Sequence, residues 1–109
     1  MTPDFSRTVF FDVKADLAES QGYDIVKYRA IINHDHTFTL NEKTVGDFHG
    51  TWQLDTATPV MRIKFNVNNP ISSHGKTGTI EFYDKNRASI DTPYDGFWPG
   101  YQAMGKWYY

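Results

Sequence analysis

The sequence predicts an all-β protein: a single-domain antiparallel β-barrel or sandwich of about eight short strands, with minimal helix. Three observations carry that reading. Apolar and polar residues alternate with period two in stretch after stretch. Clusters of Gly, Pro, Asn and Asp interrupt the alternation roughly every eight to twelve residues. Aromatic residues make up 17% of the chain, a usage that suits pleated, half-buried surfaces. A closed barrel is the preferred form, because eight strands enclose an interior that side chains fill or that holds one small ligand. Closure would also protect an aromatic last strand from edge pairing.

Residues 7–15 open the pattern, with Val9, Phe11 and Val13 alternating with Phe10, Asp12 and Lys14. Residues 16–21 (DLAESQ) offer Asp16 as an N-cap and end at Gly22, but they span only about a turn and a half and read as a helical turn or loop. The next strand, residues 23–32, puts Val26, Tyr28, Ala30 and Ile32 on one face and Lys27 and Arg29 on the other. A turn over 33–36 (NHDH) leads to a strand over 37–42 with Phe38 and Leu40 inward, and 43–47 (KTVGD) turns again.

Residues 48–67 (FHGTWQLDTATPVMRIKFNV) form the organising hairpin. Phe48, Gly50, Trp52 and Leu54 share one face, as do Met61, Ile63, Phe65 and Val67. A loop over 56–59 would pair Leu54 with Met61, Trp52 with Ile63 and Gly50 with Phe65. The same parity puts Phe38 opposite Trp52 and Leu40 opposite Gly50, so Trp52 is expected to anchor the core of a three-strand meander. A long loop over 68–76 (NNPISSHGK) follows, then a strand over 77–83, in which Phe82 can face Ala88 and Ile80 can face Ile90 across a turn at 84–86. Residues 92–100 (TPYDGFWPG) read as a structured loop. The final strand, 101–109, separates Ala103, Gly105 and Trp107 from Met104, Lys106 and Tyr108.

With 109 residues the chain is read as one domain, 1–109. Its 13 acidic and 11 basic residues leave a net charge of -2 and form no long run of one sign, so neither nucleic acid nor a membrane surface is an expected partner. There are no cysteines, which excludes disulfides, thiolate metal sites and cysteine nucleophiles. The N-terminal residues lack a signal-peptide pattern, and no apolar run reaches the roughly 20 residues of a transmembrane helix. A cytoplasmic protein is expected, or a secreted one after removal of a signal peptide that this sequence does not contain.

His34 and His36, two residues apart, with Glu42 downstream and with Pro70 and His74 further on, resemble the two motifs of the cupin family. That resemblance implies a metal-dependent enzyme using His34, His36, His74 and Glu42, set against a reading of solvated turn histidines. In the meander register His36 lies opposite Leu54 and His49 opposite Asn41, roughly 16 Å along the strand, which leaves His49 out of any such set.

Gly50, Thr51 and Trp52, preceded by Phe48, resemble the glycine-x-tryptophan signature of lipocalins and related calycin barrels, in which the tryptophan plugs one end of the barrel. The resemblance implies a lipocalin-like small barrel. Here the motif lies mid-chain, and Lys106 is the nearest cation on the last strand.

Aromatics crowd the C-terminal part: Tyr94, Phe97, Trp98, Tyr101, Trp107, Tyr108 and Tyr109. The DGFWPG loop would present Phe97 and Trp98 stiffly, and flat rings suit sugar faces, apolar ligands or interfaces. The favoured function is a non-enzymatic binding domain that holds a small apolar or sugar-like ligand, or a protein partner. Trp52 would lie inside, with Tyr94, Phe97, Trp98 and Tyr101 at an aromatic-lined mouth. A structural or assembly subunit, self-associating through the C-terminal aromatics, is the third reading. No catalytic residue, metal ligand or cofactor is assigned to the leading one. Lys27, Arg29, Arg62 and Lys64 would form a cationic patch if their two strands were neighbours.

Overall fold

The computed structural model describes residues 3–14, 26–43, 46–57, 59–69, 76–92 and 101–109, with the backbone alone at 92, 101 and 102. Eight strands run in chain order: β1 (Val9–Lys14), β2 (Val26–Ile32), β3 (Thr37–Glu42), β4 (Gly46–Leu54), β5 (Arg62–Val67), β6 (Thr77–Phe82), β7 (Arg87–Thr92) and β8 (Tyr101–Tyr108). Each pairs antiparallel with the next, and β8 returns to β1, closing an up-and-down barrel. The strands expected from the alternation are all present. The expected helical turn at 16–21 lies outside the described residues. Among those described, no helix is long and apolar enough to cross a membrane.

Period two decides what fills the interior. Val9, Phe11, Ala30, Ile32, Phe38, Leu40, Ile63, Phe65, Val67, Ile80, Ala88, Ile90 and Trp107 are all buried on the inner face. Each large side chain removed from water there contributes about 1.5–3 kcal/mol. The closing seam has three register pairs, Phe10↔Tyr108, Phe11↔Trp107 and Asp12↔Lys106. It is stapled outside by the stacked rings of Phe10 and Tyr108, 5.3 Å apart. The Tyr108 hydroxyl donates to Asp12 Oδ2 at 2.9 Å, and the Arg29 guanidinium grips the same carboxylate in a bidentate pair.

The register differs from the expected one by two residues in both central hairpins. Gly50 pairs with Val67, Trp52 with Phe65 and Leu54 with Ile63, while Phe38 faces Gly50 and Leu40 faces Phe48. Parity is unchanged, so the same residues point inward; the loops make the difference. Gly46 adopts φ 112°, open to glycine, so the β3–β4 turn closes early, at the Glu42↔Gly46 pair. The β4–β5 connection is lengthened by Asp55, whose N–H donates to the Arg62 carbonyl at 2.8 Å.

With Gly50 between them, the rings of Phe38 and Phe65 stack 4.5 Å apart across β4. A Cβ at Gly50 would press on the Asn66 carbonyl and Val67 Cα, so glycine is required by the close approach of β5. Leu54, expected inside, is 45% exposed because it lies at the barrel's rim. β2 and β5 are separated by β3 and β4, so Lys27, Arg29, Arg62 and Lys64 form no joint patch. Arg29 pairs instead with Asp12, and Arg62 with Asp55 and Glu81.

Candidate functional site

The antiparallel path gives the barrel two distinct ends. Residues 3–8, the 33–36 turn, Asp55, the 83–86 turn and Tyr109 gather at the first. Lys14, Glu42, Gly46, Val67, Thr92 and Tyr101 mark the second.

Trp52 sits at the first end, 4% exposed. Its indole Nε1–H donates to the Asn33 carbonyl at 2.7 Å, and its ring stacks on His36, 4.5 Å between centroids and 15° from parallel. The 33–36 turn that carries this stack is built by short polar side chains. Asp35 Oδ1 accepts from the Thr37 hydroxyl at 2.6 Å and the Thr37 N–H at 3.1 Å. Those two bonds hold the Asp35 carboxyl below the usual carboxylate range. His36 closes the turn at φ 69°, a conformation that is costly for a side chain of this size. Contacts with Trp52 compensate: the Trp52 N–H donates to the His36 carbonyl at 3.0 Å, and His36 Nδ1 lies 2.9 Å from the Trp52 carbonyl. Because a carbonyl only accepts, Nδ1 carries the proton, and Nε2 is left as the ring's other polar atom.

From this corner a groove of about 760 Å³ runs over the outside of the barrel across β4, β5, β6 and β7. Its walls are two cross-strand rows. Thr51, Asn66 and Thr77 lie side by side in register, and Gln53, Lys64, Thr79 and Asp91 form the parallel row two residues along. Trp52, Phe65 and Gly78 contribute to the floor, and His36 closes one corner. Along each strand these outward positions alternate with inward ones, most of them buried.

Charge in the groove is balanced. Lys64 faces Asp91 across Thr79, and Lys64 Nζ lies 3.9 Å from Asp55 Oδ1. Asp55 itself, with a side chain 3% exposed, accepts from the Ala57 N–H at 3.1 Å and from the Arg62 guanidinium, and these bonds hold its carboxyl low. Beyond Arg62, Glu81 accepts from the Tyr83 hydroxyl at 2.6 Å, which raises the phenol's pKa. Tyr83 also reaches Ser89, 2% exposed, at 3.1 Å.

Of the sequence-derived candidates, the described residues place Trp52 and the backbone of Tyr101, at opposite ends. Trp52 is buried at the first. Tyr101 begins β8 at the second, paired with Thr92, and its side chain lies outside the described residues, as do Tyr94, Phe97, Trp98 and His74. Of the cupin-like set, Glu42 does not join the histidines, since His36 precedes β3 at one end and Glu42 closes it at the other, six residues or roughly 20 Å apart; His74 lies outside the described residues. Among the described residues no group of three His, Asp or Glu could hold a metal ion.

The tryptophan of the Gly50–Trp52 motif does lie at a barrel end. Lys106, however, is on the outer face in register with Asp12 and Arg87. Several guanidinium groups lie at this end instead: Arg7 sits 4.0 Å over the Tyr109 ring, Arg62 pairs with Asp55, and Arg87 bonds the Asp84 carbonyl. Of the C-terminal aromatics, Trp107 is interior, while Tyr108 and Tyr109 are partly exposed.

Of the groove residues, sequence reasoning singled out Trp52 as a ligand contact and missed the polar walls. Thr51 entered only as the middle of the Gly50–Trp52 motif, and Gln53, Asn66, Thr77 and Thr79 were assigned no role. The available signal was compositional: uncharged hydrogen-bonding residues dominate these outward positions, where Lys and Glu would ordinarily serve. No protein-family model, curated protein or solved structure matches this chain.

Proposed function

We propose that this chain is a non-enzymatic binding domain, a lipocalin-like barrel that takes a neutral, sugar-like ligand in the β4–β7 groove. The observation that carries this reading is the groove itself. Its volume falls within the several hundred Å³ usual for small-ligand sites, and its walls are ordered rows of hydroxyl and amide side chains that both donate and accept. The balance of Lys64 against Asp91 favours an uncharged polyol over a phosphate or a polycation. Tyr94, Phe97 and Trp98 follow three to seven residues after Asp91 in the chain, and rings of that kind suit the flat face of a sugar.

The test is a nitrogen-15 NMR titration with a panel of disaccharides. A member of the panel should shift the amides of Thr51, Asn66, Thr79 and Asp91, and the double variant Asn66→Ala/Thr79→Ala should weaken it at least about tenfold, since each lost hydrogen bond is worth about 1 kcal/mol. Shifts confined to other surfaces, or an affinity untouched by the double variant, would remove the groove assignment.

A further inference from the structure

The first end of the barrel holds a second feature, distinct from the outer groove although Trp52 contributes to both. Residues 3–8 fold across it and insert Phe5, half-buried, against the interior aromatics. The Phe5 ring is 5.1 Å from Trp52 and 5.5 Å edge-on from Phe82. Phe82 in turn meets Trp107 edge-on at 6.4 Å, and Trp107 meets Tyr109 at 5.5 Å.

Most tethers of this segment lie outside; the exceptions are Pro3, which is buried, and the half-buried Thr8, whose hydroxyl donates to Asn33 Oδ1 at 3.3 Å. The Asp4 N–H donates to the Tyr109 hydroxyl at 2.7 Å, Arg7 lies over the Tyr109 ring, and Asp4 ties back to Ser6. Asp4, Ser6 and Arg7 are all exposed, and exposed contacts of these types contribute little each. An apolar ring is thus seated in the core by a short segment with shallow fastenings.

The two tryptophans of this end differ in one respect. Trp52 Nε1 has its acceptor in Asn33. Trp107 is 1% exposed, and its Nε1–H is buried with no hydrogen-bond partner among the described residues. A buried indole N–H ordinarily finds one, and leaving it unpaired is unfavourable.

We infer that the first end of the barrel is a binding site for a small single-ring aromatic molecule bearing a carbonyl group, in which Phe5 is the chain's own displaceable occupant and the Trp107 indole N–H is the unused donor. The ligand's ring replaces that of Phe5 against Trp52 and Phe82, and its carbonyl accepts from Trp107 Nε1. Displacement releases residues 3–8 from Tyr109, so that binding is coupled to the position of the N-terminal segment.

Acetophenone and ethylbenzene test this, because they share a ring and a similar shape and differ in the carbonyl. In the variant Phe5→Ala, acetophenone should bind about tenfold more tightly than ethylbenzene and about tenfold more tightly than it binds the unaltered chain. Its addition should move the Trp107 indole N–H resonance downfield, whereas ethylbenzene should not. In Phe5→Ala/Trp107→Phe the discrimination should vanish. If that double variant does not fold, the indole resonance in Phe5→Ala decides alone. Equal binding of the two probes, failure of Phe5→Ala to bind either, or an indole resonance unmoved by acetophenone would each overturn the inference.

Discussion

The two faces of β4, β5 and β6 share one backbone and obey different constraints. Inside, Trp52, Ile63, Phe65 and Ile80 belong to one buried core, against which Phe5 of the N-terminal segment packs through Trp52 and Phe82. Outside, Thr51, Gln53, Lys64, Asn66 and Thr79 line a groove, and most of them are exposed. A change inside alters close packing and is felt as stability. Outside, a change meets water, so the choice of residue there is free to serve recognition.

Substitutions can break that contrast or sharpen it. Trp52→Ala should show the largest effect, a loss of about 3–5 kcal/mol in denaturant unfolding, since it removes the interior ring, the stack on His36 and the bond to Asn33 together. A loss under about 1 kcal/mol would mean that the inner face tolerates cavities and that the contrast is false. Gly50→Ala follows, at about 1–3 kcal/mol, because the added Cβ meets the β5 backbone rather than a side chain that could swing away.

Asp55 lies at the boundary of the two faces, and acid should reveal it. Its carboxyl is held low by the Ala57 N–H and by Arg62. The stability it contributes is therefore fully present above the ordinary carboxylate pKa and is lost as pH falls through the depressed folded-state value. The melting temperature should drop more steeply in that acid range for the unaltered chain than for Asp55→Asn, and parallel curves would show that the carboxylate carries no linked stability. The smallest effect belongs to the groove. Asn66→Ala and Thr79→Ala should each change stability by under about 0.5 kcal/mol. A larger loss would make these side chains structural and weaken the case for a ligand.

The Gly50–Trp52 stretch shows how far the chain could be read in advance. Alternation identified Phe48 and Trp52 as inward, along with Phe38, Ile63, Phe65 and Val67, and all of them are buried. The registers joining them were each displaced by two residues. Parity cannot detect such a slip, because a shift of two restores every side chain to its own face. The candidate site was less legible. Thr51 and Asn66 acquire meaning only when β4 and β5 stand side by side, and His36 only when its turn folds onto Trp52. The plug at the first end was hidden for a related reason, since Phe5 precedes every strand and meets residues far along the chain.

By itself, then, the sequence determined the strand class and the inner and outer identity of most strand residues, because both depend on local period and on the transfer of apolar side chains from water. Only the tertiary structure decided the register, the closure of β8 onto β1 and the placing of polar side chains into a groove. Those features arise from loop geometry, from the φ of Gly46 and His36, and from contacts between residues distant in the chain, none of which a period of two encodes.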